Sequence, residues 1–117
     1  MNPKERREAT RRITDLLPAP DEIKEDWGGF ILDTVDPAAG VWSRPGLSPR
    51  DRSLATIAAL TAIYRPHELK LHIGFGLLNG LERAEICEVI MHMAVYAGFP
   101  SAVEGMRLAK EVFDEAK

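Results

Sequence analysis

Two helix signals in direct succession constrain the fold of this chain more than any other feature of its sequence. Ser48-Pro49-Arg50-Asp51 is a typical helix start, with serine as the N-cap, proline at the first position and an acid three residues after the cap. That helix is predicted to extend to about Tyr64, and a second one over Arg65–Asn79 follows after a very short turn. Pro66 is tolerated in the first turn of the second helix, and Gly80 is suited to end it in a left-handed cap. These signals predict two consecutive helices.

The other segments of the chain also follow helical periodicity. Helices are predicted over residues 3–16, 21–31, 83–98 and 101–115, with a turn at 36–40, a loop at 41–47 and a break at Phe99-Pro100. The apolar residues of the 48–64 helix cover almost its whole circumference, which predicts a central, buried helix. The 83–98 helix has two apolar faces, which suggests that one packs internally and the other against a partner subunit. Because β alternation and long repeats are missing, the pattern predicts one all-α domain over residues 1–117.

The composition limits the partners and the compartment that we expect. The chain has 117 residues, 45% of them hydrophobic, which is enough for one domain with a real core. Its formal net charge of −3 argues against nucleic-acid binding, because phosphate neutralisation requires a basic surface. The single cysteine, Cys87, excludes an internal disulfide and fits a reducing compartment. No segment resembles a signal peptide or reaches the roughly 18 apolar residues of a membrane span, so we expect a cytoplasmic protein without membrane contact.

The second predicted helix carries the best candidate site. At about 100° per residue, Glu68, His72 and Asn79 fall within an arc of about 40°. Gly76 is expected to leave open space beside this arc. Large apolar side chains flank the arc on its other side: Leu71, Phe75 and Leu78. Polar groups on such a face are costly unless they are paired or employed, so we expect a largely dry cleft walled by helices.

The spacing of Glu68 and His72 suits acid–base chemistry. At i and i+4 the carboxylate can bind the imidazole, raise its pKa and fix its tautomer, as a general acid or base requires. The alternative is an exposed pair that stabilises the helix by a few tenths of a kcal/mol, about the usual value.

A metal site is not expected here. His67 and His72 resemble the zinc motif H-E-x-x-H with one residue too many, and five residues place them about 140° apart around the helix. They therefore cannot bind one ion together. A set of Glu68, His72 and His92 would be possible, but nothing in the sequence requires it.

Further candidates lie outside this helix. His92 lies at the edge of an apolar arc with Tyr96 one turn on, which suits a second polar group at the same pocket; the alternative is a half-buried histidine bonded to a neighbour. Arg44 and Arg52, near Trp42, are able to clamp substrate carboxylates, or they are surface arginines near a helix start.

The sequence resembles the gamma-carboxymuconolactone decarboxylase family through short motifs that occur in order. The motifs are Trp42-Ser43-Arg44-Pro45-Gly46-Leu47, Arg52-Ser53-Leu54, Glu68-Leu69-Lys70-Leu71-His72, Asn79-Gly80, Glu85-Ile86, His92, Tyr96, Gly98 and Pro100. The resemblance covers roughly Trp27 to Lys117, and the combination is specific although each piece alone is weak. It implies an alkylhydroperoxidase D-like helical bundle of about five to six helices with a central helical hairpin, assembled as homotrimers or homohexamers.

The resemblance also separates this chain from the thiol peroxidases of the wider superfamily. Alkylhydroperoxidase D has a C-x-x-C redox site with a histidine four residues after the second cysteine. Placing that histidine on His72 puts the cysteine positions at Arg65 and Glu68, and neither is a cysteine. The decarboxylase branch has Glu-x-x-x-His at this place, which Glu68 and His72 match.

Three places depart from the pattern of that branch. The chain has Leu78-Asn79-Gly80 where Asn-Asn-Gly is common, and Pro100-Ser101-Ala102-Val103 where Pro-Ala-Ala-Asn is common. An arginine is usual where Gly74 or Ile73 stands. These departures favour a different, less polar lactone or keto acid as the substrate.

The resemblance implies a cofactor-independent decarboxylase that acts on gamma-carboxymuconolactone or a related lactone or keto acid in aromatic-compound catabolism. The unsaturated lactone itself accepts the electrons when CO₂ leaves, so no cofactor is expected. The expected catalytic residues are His72, as proton donor, and Glu68, which holds it. The expected substrate-binding residues are Arg52, Arg44, Trp42, His92, Tyr96, Ser53 and Asn79. Two alternatives stay open: a cofactor-free isomerase or cyclase, and a non-catalytic, ligand-binding helical oligomer.

Overall fold

The computed structural model describes residues 1–35 and 40–116, and all of its regular secondary structure in these ranges is helical. They form six α-helices and one short 3-10 helix. In chain order the elements are α1 (Pro3–Leu16), α2 (Lys24–Val35), the 3-10 helix (Val41–Ser43), α3 (Pro49–Ala62), α4 (Pro66–Leu78), α5 (Arg83–Ala97) and α6 (Phe99–Glu115). No strand occurs within the described ranges, and the predicted all-α, alkylhydroperoxidase D-like bundle is confirmed. The turn predicted at 36–40 lies almost entirely outside the described residues.

One predicted boundary is wrong for a clear reason. Phe99-Pro100 does not break the chain, because α6 begins at Phe99 and a proline fits the first turn of a helix. Gly98 makes the break between α5 and α6 instead, with a φ of +107° that favours glycine.

The chain forms two compact units, Met1–Gly46 and Leu47–Lys117. In the first unit, α1 packs closely against α2 at Gly28, where a Cβ atom would come within 2.7 Å of the methyl carbons of Thr10 and Thr14. A salt bridge of 2.8 Å between Arg6 and Asp33 also joins these two helices. The single domain predicted over residues 1–117 stays a prediction.

The second unit is a four-helix bundle. Helix α4 packs against α3 and α6, and α5 packs against the same two helices, so α4 and α5 stand at diagonal corners. The four helices meet at Gly105 of α6, where a Cβ atom would lie 3.1 Å from Ile90, 3.6 Å from Leu69 and 3.6 Å from Thr61. The inward faces of α4 and α5 are therefore directed toward each other, and their outward faces point apart.

Helix α3 is less buried than its composition predicted. Ser53, Ile57 and Thr61 are buried, whereas Ala55 and Ala59 on the opposite side are exposed. The predicted burial holds for one face of α3 in the single chain, because each helix of a four-helix bundle turns only one face inward.

The loops at both ends of α4 fix the position of that helix. At its C-terminal end Gly80 has a φ of +102°, as predicted, and the Leu81 N–H donates to the Gly76 carbonyl at 2.9 Å. At its N-terminal end Tyr64 adopts the same left-handed region with a φ of +59°, and the Arg65 N–H donates to the Leu60 carbonyl at 3.0 Å. Within the described residues, no helix is long and apolar enough to span a membrane.

Candidate active site

Helix α4 places the predicted acid–base pair on one side of the bundle. His72 is half-buried with a fully buried Nδ1 atom, whereas Glu68, one turn earlier, is exposed. The His72 ring meets Phe75 edge-on, with ring centroids 5.4 Å apart. In the single chain the surroundings are thus dry on the His72 side and open on the Glu68 side.

Burial decides the charge state of His72. It lowers the pKa of His72 below its ordinary value, and the negative charge of Glu68 opposes this shift without cancelling it. Glu68 raises the pKa of His72, as the sequence predicted, but desolvation is the larger effect and the net shift is downward. This shift favours the neutral imidazole, which accepts a proton before it donates one.

The third member of the arc, Asn79, joins α4 to α3. Its side-chain Nδ2 donates a hydrogen bond of 3.0 Å to Oγ of Ser53. Ser53 has no exposed surface, so it cannot line the floor of a pocket or touch a substrate, contrary to the sequence prediction. This bond shows that the Glu68, His72 and Asn79 side of α4 is the side next to α3.

Arg52 is on α3, one residue before Ser53, which bonds Asn79 of α4. Its side chain is half-buried and its Nε atom is fully buried. A partly buried guanidinium is suited to bind a carboxylate. The contact of Arg52 with a substrate stays a prediction.

The sequence suggested that Gly76 leaves open space beside the site, but the structure places close neighbours there. It is buried, and a Cβ atom there would lie 3.0 Å from Leu81 and 3.1 Å from Ile57. Its role is close packing of α4 on the core. The open position is Gly74, where a Cβ atom would meet nothing among the described residues within 4 Å.

The other predicted pair, His92 and Tyr96, lies on a different surface. Both residues are exposed on α5, and their rings pack together with centroids 4.9 Å apart. Because α4 and α5 are diagonal, this outward face of α5 points away from the outward face of α4. One chain therefore does not bring His92 to His72, and a metal set of Glu68, His72 and His92 is wrong for the single chain. No three potential metal ligands cluster within residues 1–35 and 40–116.

Trp42 and Arg44 lie in the Met1–Gly46 unit, in the 3-10 helix and directly after it. Trp42 is half-buried and Arg44 is exposed. Their contribution to the site stays a prediction. A groove of about 920 Å³ between α1 and α2 belongs to the same unit, and none of the predicted site residues lines it.

Sequence reasoning missed an ion pair that joins α3 to α5. Arg50 at the start of α3 binds Glu85 at the start of α5, where Glu85 also accepts the Glu82 backbone N–H at 2.9 Å. The Glu82 N–H and then Arg50 lower the pKa of Glu85, which keeps it ionised. The two partners are 35 residues apart, so no local spacing signals the pair. Of this arrangement, only the capping box of Glu82 and Glu85 has a signal in the local sequence.

Residues 35–111 match the model of the carboxymuconolactone decarboxylase family, which is more than half of the chain. The chain belongs to the carboxymuconolactone decarboxylase family. The match includes the whole Glu68–Asn79 segment of α4 and most of the four-helix bundle.

Two curated relatives of this family member have names that specify an activity. The 4-carboxymuconolactone decarboxylase of Acinetobacter baylyi is 45% identical over 95 residues, which cover 81% of this chain and 69% of the relative. Nitrosuccinic acid decarboxylase npaB of Metarhizium robertsii is 37% identical over 75 residues, which cover 64% of this chain and 52% of the relative. An uncharacterized 15.0 kDa protein of Paracoccus denitrificans is 28% identical over 109 residues, 90% of this chain and 73% of the relative.

Proposed function

We propose that this member of the carboxymuconolactone decarboxylase family is a cofactor-independent carboxy-lyase in aromatic-compound catabolism. Its proposed substrate is 4-carboxymuconolactone or a related lactone or keto acid. The observation that carries the proposal is the half-buried His72 beside the charge of Glu68, on the same side of α4 as Asn79. The names of the two decarboxylase relatives support the same reaction class.

The substrate class follows from where the electron pair of the broken C–C bond must go. When the C–C bond to the carboxylate breaks, its electron pair stays on the substrate and needs an acceptor group. An unsaturated lactone supplies that acceptor in carboxymuconolactone, and a nitro group supplies it in nitrosuccinic acid. We therefore propose substrates that carry both a carboxylate and a conjugated or adjacent electron acceptor.

The protein has to position charged groups around the substrate and donate one proton to it. The carboxylate leaves as CO₂, the resulting dienolate takes a proton on carbon, and the net reaction consumes one proton from water. Arg52 would orient a carboxylate before bond cleavage, and His72 would deliver the proton to carbon. The dry surroundings of His72 favour loss of the carboxylate, because they remove the water that stabilises its charge.

The lowered pKa of His72 is compatible with its role as the proton donor. An anionic substrate beside the ring favours the imidazolium form, and Glu68 adds to that effect. Binding of the carboxylate would thus protonate His72 in the complex. When CO₂ leaves, the negative charge stays on the substrate as the dienolate, and the imidazolium neutralises it by donating its proton to carbon.

We also propose self-association as a homotrimer or homohexamer, in the cytoplasm. Large apolar side chains on α5 and at the start of α6 are mostly exposed: Val95 at 76%, Tyr96 at 74%, Phe99 at 71% and Val103 at 66%. If His92 and Tyr96 contact the substrate, a second copy of the chain has to supply them. Trp42 and Arg44 remain proposed substrate contacts.

Activity toward 4-carboxymuconolactone tests the proposal directly. The wild-type chain, treated with a metal chelator, is expected to release one CO₂ per enol-lactone formed, followed by mass spectrometry of the gas and NMR of the product. His72→Asn is expected to lower kcat at least about 10²-fold. His67→Asn is the matched control, because His67 is an exposed histidine on another side of α4. A product formed without CO₂ would indicate an isomerase or cyclase instead.

A further inference from the structure

The hydrogen bond between Asn79 and Ser53 joins the candidate site to the interior of the bundle. Ser53 is completely buried, and Asn79 is half-buried at the end of α4. The Ser53 hydroxyl accepts the hydrogen bond of the Asn79 amide, and because it is buried it cannot reach a ligand itself. Any effect of Ser53 on a ligand is therefore transmitted through the Asn79 amide.

The backbone beneath Asn79 is held on both sides. The Asn79 N–H donates to the Phe75 carbonyl at 2.9 Å, and the next two residues close the helix through Gly80 and Leu81. Leu81 is 4% exposed and belongs to the core. The remaining freedom of Asn79 is rotation of its side chain, and the bond to Ser53 removes that rotation.

The geometry of a primary amide decides where the rest of Asn79 is directed. Nδ2 carries two hydrogens about 120° apart in the amide plane, and the one used for Ser53 points to the interior. The second hydrogen is therefore turned away from the core. His72 lies seven residues earlier on the same side of α4, about 10 Å along the helix axis. The two side chains are thus spaced to contact opposite ends of one small molecule.

We propose that Ser53 is a positioning residue, which holds the Asn79 amide so that its second N–H donates to the acceptor oxygen of the substrate. This inference rests on the proposed function. In a lactone substrate that oxygen is the carbonyl, where negative charge grows as CO₂ leaves. A donor that is oriented before the reaction stabilises such charge more than a freely rotating one does. Asn79 is then the binding group at one end of the substrate, and His72 is the proton donor at the other.

Kinetics with 4-carboxymuconolactone separates this role from a purely structural one. Asn79→Ala is expected to lower kcat about 10²- to 10³-fold, the usual effect of removing one such donor. Ser53→Ala is expected to lower kcat about 10-fold or more with a smaller change in KM. The double variant is expected to be no slower than Asn79→Ala alone, because Ser53 acts only through Asn79.

The matched control is Thr61→Val. Thr61 is another buried hydroxyl of α3, 1% exposed, and it donates to the Ile57 carbonyl at 2.8 Å rather than to the site. Its variant is expected to keep the wild-type kcat. If Ser53→Ala does not fold, Ser53→Cys takes its place, because it keeps the volume and weakens the acceptor.

A spectroscopic measurement follows the amide itself. In ¹⁵N-edited NMR spectra the Asn79 side-chain NH₂ signals are expected to shift when the slow His72→Asn variant is titrated with 4-carboxymuconolactone, and to lose that response when Ser53→Ala is added. Wild-type kcat in Ser53→Ala, with an active wild-type protein, would overturn the positioning role and leave the proposed function intact. A wild-type protein that releases no CO₂ would overturn both.

Discussion

The two histidines His72 and His92 differ in how far the bundle buries them. Each packs against an aromatic ring of its own helix, Phe75 or Tyr96. His72 is half-buried, and burial lowers its pKa. His92 is exposed on the diagonal helix. Depth, rather than residue type or spacing, separates the candidate catalytic histidine from the other.

The largest expected effect tests this contrast by exchanging each histidine in turn. His72→Asn should lower kcat at least about 10²-fold, because it removes the proton donor. His92→Asn in the same assay should lower kcat by less than about 10-fold, with any effect of a second copy appearing in KM. Equal losses of kcat in the two variants would contradict the assignment of the proton donor to α4.

A second change sharpens the contrast by removing the charge beside His72. Glu68→Gln should lower the pKa of His72 further, since the carboxylate is what opposes the effect of burial. We expect kcat to fall about 10²-fold, with the acid side of the pH profile moved to lower pH. The pKa of His72, read from ring-carbon NMR shifts during a pH titration, checks the direction. A rise in that pKa would show that Glu68 does not act on the ring.

A third change would move α4 away from the core, so that His72 becomes more exposed, as His92 is. Gly76→Ala places a methyl group 3.0 Å from Leu81 and 3.1 Å from Ile57, and overpacking of this kind costs about 1–3 kcal/mol. Gly74→Ala is the control, because a methyl group there meets nothing among the described residues and raises helix propensity. The free energies of unfolding in urea compare the two variants. A larger loss in Gly74→Ala would contradict the packing described here.

The smallest expected effect is the pH dependence of stability. Because the folded-state pKa of His72 lies below its unfolded value of about 6.5, the unfolded chain binds more protons between the two values. The free energy of unfolding should therefore have its full value above about pH 6.5 and decrease as the pH falls through the folded-state pKa. Chemical unfolding at several pH values should show a shallower fall in His72→Gln than in His92→Gln.

Much of the fold was predictable because its signals are local. Ser48 caps α3 by accepting the Asp51 N–H, and Gly80 ends α4 in the left-handed conformation, both as the sequence indicated. The Phe99-Pro100 boundary was misjudged because a proline both breaks a helix and begins one, and only Gly98 separates the two cases. Tyr64 gave no signal, since a tyrosine with positive φ is unusual.

The site was predictable in part, and the limit has a physical cause. Helical spacing placed Glu68, His72 and Asn79 on one side of α4, and the hydrogen bond to Ser53 shows that this side adjoins α3. Spacing within one helix does not reveal its neighbours. Hence Gly76 was assigned to open space although it faces the core, and the effect of burial on the His72 pKa gave no signal in the sequence. His92 was grouped with His72 because the diagonal arrangement of α4 and α5 arises only from the tertiary fold.

Leu78 has a consequence for how this protein can be altered. It is 83% exposed and stands directly before Asn79, the proposed substrate contact, and it contributes little to the interior. Substitutions at such exposed positions usually change stability by no more than about 0.5 kcal/mol. Leu78 can therefore be varied in polarity and size at little expense in folding. We expect such variants to change the substrate preference of the proposed site while the bundle underneath stays intact.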